Sequence, residues 1–156
     1  MKLAFDRFPK TVAIVGSRSF AKNDPTVDRK MRGIVTKFVN SLYFMTEVVS
    51  GEAIGVDRYA KDAAVRRKGM IYTPFAPNMN TPSPQRYFTR NSELVKYISG
   101  SNGIIVAFID ISDCDGTMDT LDKAQRSGVE HITYSFKPNG DFFAVDGALD
   151  KYVEVW

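Results

Sequence analysis

The feature that most constrains this chain is a regular alternation of short apolar runs with segments of helical period. "TVAIVG" (11–16) is a β-branched run that stops at a glycine, which reads as a buried strand. Asn23-Asp24-Pro25 supplies a helix cap and a first-turn proline. Val27, Met31, Ile34, Val35, Phe38, Val39 and Leu42 then recur at helical spacing and predict an amphipathic helix over 25–44, with Phe38, Tyr43 and Phe44 at packing positions. "EVVS" (47–50) predicts a second strand, and 56–68 a second helix with a close-packing face of Ala60, Ala63 and Ala64, ended by Gly69. "MIYTPF" (70–75) predicts a third strand, and a Pro/Asn-rich loop leads from it to a helix over 85–98. "GIIVAFI" (103–109) predicts the fourth strand, "DISDCDG" (110–116) an acidic loop, 117–127 a helix closed by Gly128, and "EHITYSF" (130–136) a fifth strand.

Strands alternating with helices imply an α/β fold, a Rossmann-like doubly wound sheet of about five mainly parallel strands with helices on both faces. Crossovers are expected to be right-handed. The expected order 3-2-1-4-5 places a switch point between strands one and four, and ligands in such sheets bind beyond the carboxyl ends of the strands there. With 156 residues the chain is read as one domain, its core at 11–136. Asn139-Gly140 and Asp146-Gly147 are turn signals that make 137–156 an appended β element.

Composition narrows the chemistry. A single cysteine, Cys114, excludes an intramolecular disulfide framework and a cysteine zinc cluster, and a single histidine, His131, argues against a His-based metal site or a Ser-His-Asp triad. Cys114 sits between Asp113 and Asp115, whose charges raise its pKa, and reads as inert. His131 reads as a structural histidine. A net charge of +3 suits an anionic ligand, while the absence of a basic stripe argues against nucleic acid as partner. No apolar stretch reaches the roughly 18 residues of a bilayer span. Asp6, Arg7 and Lys10 interrupt the N-terminus, so neither membrane nor signal peptide is expected and the chain reads as cytoplasmic.

Three loops fall at the expected strand ends: Gly16-Ser17-Arg18, then Ser50-Gly51-Glu52 through Gly55 and Asp57, then Asp110 through Gly116-Thr117. Glycines let backbone N–H groups approach a phosphate, helix N-termini add unsatisfied donors, and an arginine can clamp oxygens in pairs. For each glycine a tight turn with close helix–strand packing explains the residue equally well. Convergence of three loops on one switch point favours a site. On the third helix, Tyr87 and Phe88 are placed to stack on a base, though core packing explains them as well.

"VAIVGSRSF", "VVSGEAIGVDRYA", "RYFTRNSELV" and "GIIVAFIDISDCDGTMDTLDKA" resemble, in order and spacing, blocks of the SLOG superfamily of Rossmann-like proteins, and most of all its YspA/YpsA-related branch. The resemblance implies a nucleotide or nucleotide-derived, ADP-ribose-like ligand, bound by a sensor or sequestering module. It places Gly16, Ser17 and Arg18 on phosphate, Ser50, Gly51, Gly55 and Asp57 around the second loop, Arg90 and Asn91 on the ligand, and Gly116 and Thr117 in a second donor turn. For Arg90 and Asn91 the alternative is a solvated helix face, and for Asp57 a helix-terminal carboxylate. It also implies a homo-oligomer. The superfamily contains phosphoribohydrolases and the single-stranded-DNA binder DNA-processing protein A.

Two departures from that pattern bear on activity. Glu52 stands where a second glycine is usual and implies that the loop reads ribose hydroxyls or a base, or turns to solvent. The phosphoribohydrolase pattern ends in a glutamate where this chain has Thr120, with Asp119 one residue early, about 100° round the helix. Cleavage of an N-glycosidic bond is therefore the alternative reading, with Asp115, Asp119 and Glu52 as candidate catalytic carboxylates. The "D-x-G-T…D-x-A" texture also resembles nucleoside deoxyribosyltransferases. No cofactor is evident, though the aspartates can hold Mg²⁺ together with a ligand phosphate.

Overall fold

The computed structural model describes residues 9–22 and 24–143. Asn23, the Asp146-Gly147 turn and the rest of 144–156 lie outside the described residues. Ten elements follow in chain order: β1 (Thr11–Gly16), α1 (Pro25–Ser41), β2 (Glu47–Ser50), α2 (Val56–Arg66), β3 (Ile71–Pro74), α3 (Gln85–Gly100), β4 (Ile104–Asp110), α4 (Asp115–Arg126), β5 (His131–Phe136) and β6 (Phe142–Phe143). They build one sheet in the order β3-β2-β1-β4-β5-β6. The first five strands pair in parallel, and β6 runs antiparallel to β5 after the Asn139-Gly140 turn. This is the open Rossmann-like α/β sheet expected from the alternation.

Period-two alternation sorts the strand residues between two cores. Val12, Ile14, Val106 and Phe108 join Phe38 of α1 with Val56 and Tyr59 of α2. Ala13, Val15, Ile105 and Ala107 join Leu94 and Ile98 of α3 with Leu121 of α4. Strands buried on both faces read as continuous apolar runs, as β1 and β4 do. Asp24 caps α1 by accepting from the Thr26 amide at 2.7 Å, just ahead of Pro25.

Several ends differ from the periodicity. α1 stops at Ser41, and Leu42 is already extended, at φ −70° and ψ 153°. The Ser41 hydroxyl takes the Phe38 carbonyl at 2.6 Å, and Met45, at φ 64°, donates from its amide to Gly69 O at 3.0 Å. The chain therefore turns early toward the α2–β3 connection, and Tyr43 and Phe44 end up exposed rather than packed. α4 begins at Asp115, so Gly116 and Thr117 belong to its first turn rather than to a loop before it. The sheet keeps the carboxyl ends of β1, β2 and β4 side by side.

Candidate functional site

Three loops leave those strand ends and are stitched to one another. After β1, the Ser17 hydroxyl donates to the Asp113 carbonyl and accepts from the Asp110 amide at 2.8 Å, which ties the first loop to the β4–α4 loop. Ser19 adds its hydroxyl to Asp110 Oδ2 at 2.6 Å and its amide to Asp113 Oδ2 at 3.2 Å. Asp110 Oδ1 holds the amide and hydroxyl of Ser112 at 2.8 and 2.7 Å. Asp110 and Asp113 thus brace loops. Among the described residues no group of three or more His, Cys, Asp or Glu is placed to hold a metal ion.

The second loop explains its two glycines by different contacts. Gly55 has φ +85°, and a Cβ there would strike the Ser17 carbonyl and come within 2.8 Å of Arg18 Cα. The loops meet backbone to backbone, with the Val56 amide donating to Ser17 O at 3.3 Å. A Cβ on Gly51 would land on the Arg90 guanidinium and 2.7 Å from Asp57 Oδ2. Between them stands Glu52 at φ +66°, a left-handed conformation that glycine adopts more readily. Its carboxylate pairs with Lys61 at 2.9 Å and lies 3.4 Å from the Tyr72 hydroxyl. Ser50 is fully buried, hydrogen-bonded to Asp57 O at 3.1 Å and to Tyr72 Oη at 2.8 Å.

α3 carries Arg90 and Asn91 inward, and both are buried rather than solvated. Arg90 donates through Nη1 to the Gly51 carbonyl and through Nε to Asn91 Oδ1 at 2.9 Å. Asn91 Nδ2 donates to Asp119 Oδ2 at 3.0 Å and, more weakly, to Gly116 O at 3.4 Å. Lys123 reaches the same Asp119 oxygen at 2.7 Å and the Phe88 carbonyl at 3.0 Å. A polar chain thus runs from the second loop through α3 to α4, and it commits Asp119 to holding Asn91 and Lys123.

What remains open between the loops is a cleft of ≈ 330 Å³, within the range of small-molecule sites. Gly16, Ser17, Arg18, Gly51, Asp57, Arg90, Asn91, Gly116 and Thr117 line it. So do Tyr87 and Phe88, and residues that sequence reasoning missed as site residues: the charged Lys22 and Asp113, Thr120, and the walls Val15, Ala53, Leu94 and Cys114. Lys22 follows Arg18 round a single 3₁₀ turn at Ser19–Ala21, a spacing too short to show as a period. Ser50, Glu52, Gly55, Asp115 and Asp119 support the cleft or lie beside it and do not line it. Gly16 lines it and is also required by packing, since a Cβ would come within 2.6 Å of the Val56 side chain.

The electrostatics are uneven. Arg18 is exposed and lies over the Tyr87 ring, 5.3 Å from its centroid. The first turn of α4 has no side-chain cap; amides at such an end are free for an anion. Asp57 is buried at the cleft wall: burial pushes its carboxyl up to about 6, against the opposing pull of Arg90, the Ala53 amide and Arg18. Burial, with Asp115, Asp113 and Asp110, also pushes the Cys114 thiol up, which leaves it a weak nucleophile. His131 is exposed, its Nδ1 at 2.9 Å from Val129 O. Among the described residues no helix is long and apolar enough to cross a membrane.

No curated protein and no solved structure matches this sequence. The profile of one family does match, over residues 3–129, which takes in β1 to α4 and every loop of the cleft. That match agrees with the superfamily resemblance of the loops, and by it the chain belongs to the DNA recombination-mediator protein A family.

Proposed function

We propose that this chain binds a phosphate-bearing nucleotide, or an ADP-ribose-like derivative of one, in the cleft and holds it as a sensor or sequestering module. The observation that carries this reading is the shared lining: Arg18, Lys22, Arg90 and the uncapped first turn of α4 border one cleft whose wall includes Tyr87 and Phe88. Phosphate then sits against Arg18 and the α4 amides, with the base against Tyr87 and the sugar over Asp57. The YspA/YpsA-like spelling of Gly16-Ser17-Arg18 and of the second loop supports it.

The placement of the three candidate catalytic carboxylates supports binding over turnover. Glu52 is paired with Lys61, Asp119 is held by Asn91 and Lys123, and Asp115 does not line the cleft. None of the three is set to act on a glycosidic bond. Any Mg²⁺ arrives with the ligand phosphate, because Asp110 and Asp113 already brace loops.

A panel of mononucleotides, dinucleotides and cyclic ADP-ribose variants, incubated with protein and followed by mass spectrometry, tests this reading. Intact ligand is expected, with affinity lowered about tenfold to hundredfold in Arg18→Ala. Unchanged affinity in that variant removes the phosphate assignment, and free base accumulating with time replaces binding by N-glycoside cleavage. The family match favours one second reading, single-stranded DNA as the ligand.

A further inference from the structure

Asp57 lines the cleft yet is only 5 % exposed, and its Oδ2 accepts from the Ala53 amide at 3.2 Å. The groups that face it come from four places: Arg90 on α3, Arg18 on the β1 loop, Glu52 on its own loop and Tyr72 on β3. Glu52 disfavours the carboxylate, and Tyr72 is neutral, its own pKa pushed up to about 12 by burial. Among the described residues, Arg90 and Arg18 supply the positive charge that faces it, and the Ala53 amide donates to it.

One of those two arginines, Arg18, also receives phosphate in the reading above, and the other, Arg90, borders the same cleft. An anion seated against Arg18 brings a negative charge into the cleft that Asp57 lines, and that charge offsets the Coulombic support the arginines give the Asp57 carboxylate. Burial then acts with little opposition. Gly51 matters here, because its missing side chain is what lets the Arg90 guanidinium and the Asp57 carboxylate crowd the same spot.

We propose that Asp57 is a proton-linked ligand contact: the cleft takes up one proton from solvent as it takes up a phosphate-bearing ligand, and the occupied site holds Asp57 as a neutral carboxyl. A neutral carboxyl can still donate to one sugar oxygen and accept from another hydroxyl. This rests on the nucleotide reading of the cleft and adds a regulation to it. By reciprocity, a ligand that brings a proton in binds more tightly where protons are plentiful.

The test uses ADP-ribose, whose pyrophosphate does not titrate near neutrality; a terminal phosphate, with a second pKa of about 6, would blur the result. Calorimetry of the full chain at pH 7.5 in two buffers of different ionisation heat reads the proton directly. Uptake approaching one proton per ligand is expected, with affinity falling by up to about tenfold per pH unit above 6. Asp57→Asn is expected to abolish both the uptake and the pH slope, and to bind at pH 8 at least as tightly as wild type does at pH 6. Binding with no proton uptake in the wild-type protein overturns the proposal and leaves the nucleotide reading standing. Absence of ADP-ribose binding across the pH range removes the ADP-ribose reading, and the proton linkage with it.

Discussion

Asp57 and Gly51 show how much of this site is decided by single atoms. The folded-state pKa of Asp57, about 6, lies above its ordinary value of 3.8, so the folded protein binds the extra proton between those two values. Stability from this group is therefore fully present below pH 3.8 and is lost as pH rises toward 6. Asp57→Asn removes that dependence. Its stability relative to wild type should rise by about 2 kcal/mol between pH 4 and pH 7.5, as denaturant titrations at the two pH values would show. A constant difference between the two curves would mean that Asp57 titrates normally. Gly51→Ala pushes a methyl group into the Arg90 guanidinium. A loss of about 1–3 kcal/mol is expected in thermal or denaturant unfolding, together with weaker ligand binding, because Arg90 must move. Glu52 is the opposite case. Its φ of +66° suits glycine, and its carboxylate makes one partly exposed pair with Lys61. Glu52→Gly should leave both stability, within about 1 kcal/mol, and ligand affinity unchanged. A marked loss of affinity would place the carboxylate on the ligand after all.

At the scale of elements, local rules were legible and long-range commitments were not. β-branched runs ending in glycine marked β1 and β2, and Asp24-Pro25 marked the start of α1. Asp24→Ala should accordingly cost about 1 kcal/mol of stability in denaturant titration. The end of α1 was misread because nothing local to Tyr43 and Phe44 announces that Met45 will bond to Gly69 across the α2–β3 connection. Glu52 was visible as an oddity in a glycine position, but its orientation depends on Lys61 and Tyr72, which lie on other elements. Asn91 and Asp119 were both singled out, one as a ligand contact and the other as a catalytic carboxylate. Their bond to each other joins residues 28 apart in sequence and two separate helices, so no spacing rule reveals it. The loops that form the cleft were foreseen because glycine and helix-start chemistry is local. The wiring beneath them emerged only when α3 and α4 were brought side by side.

At the scale of the whole molecule, the parallel order puts the carboxyl ends of β1, β2 and β4 at one edge, and the cleft is the space their loops leave. That geometry separates the two candidate ligands by size and charge. In the proposed reading a mononucleotide-sized ligand sits in the cleft, whose lining carries three cations, Arg18, Lys22 and Arg90, and two acids, Asp57 and Asp113. Its binding should show a shallow log–log salt slope, because a ligand of one or two phosphates carries no condensed counterion atmosphere to release. Lengthening the ligand by further nucleotides should add nothing, because the added phosphates lie beyond those cations. A single-stranded DNA chain must instead run out over a surface whose parent protein carries a net charge of only +3. If DNA is the ligand, affinity must grow with oligonucleotide length and the salt slope must steepen with each phosphate engaged. Binding of a mononucleotide, a dinucleotide and a twenty-residue oligonucleotide, each measured at several salt concentrations, separates the two. Equal affinities and a shallow common slope are expected from a closed cleft. A slope that deepens with length would move the ligand out of the cleft and onto the surface.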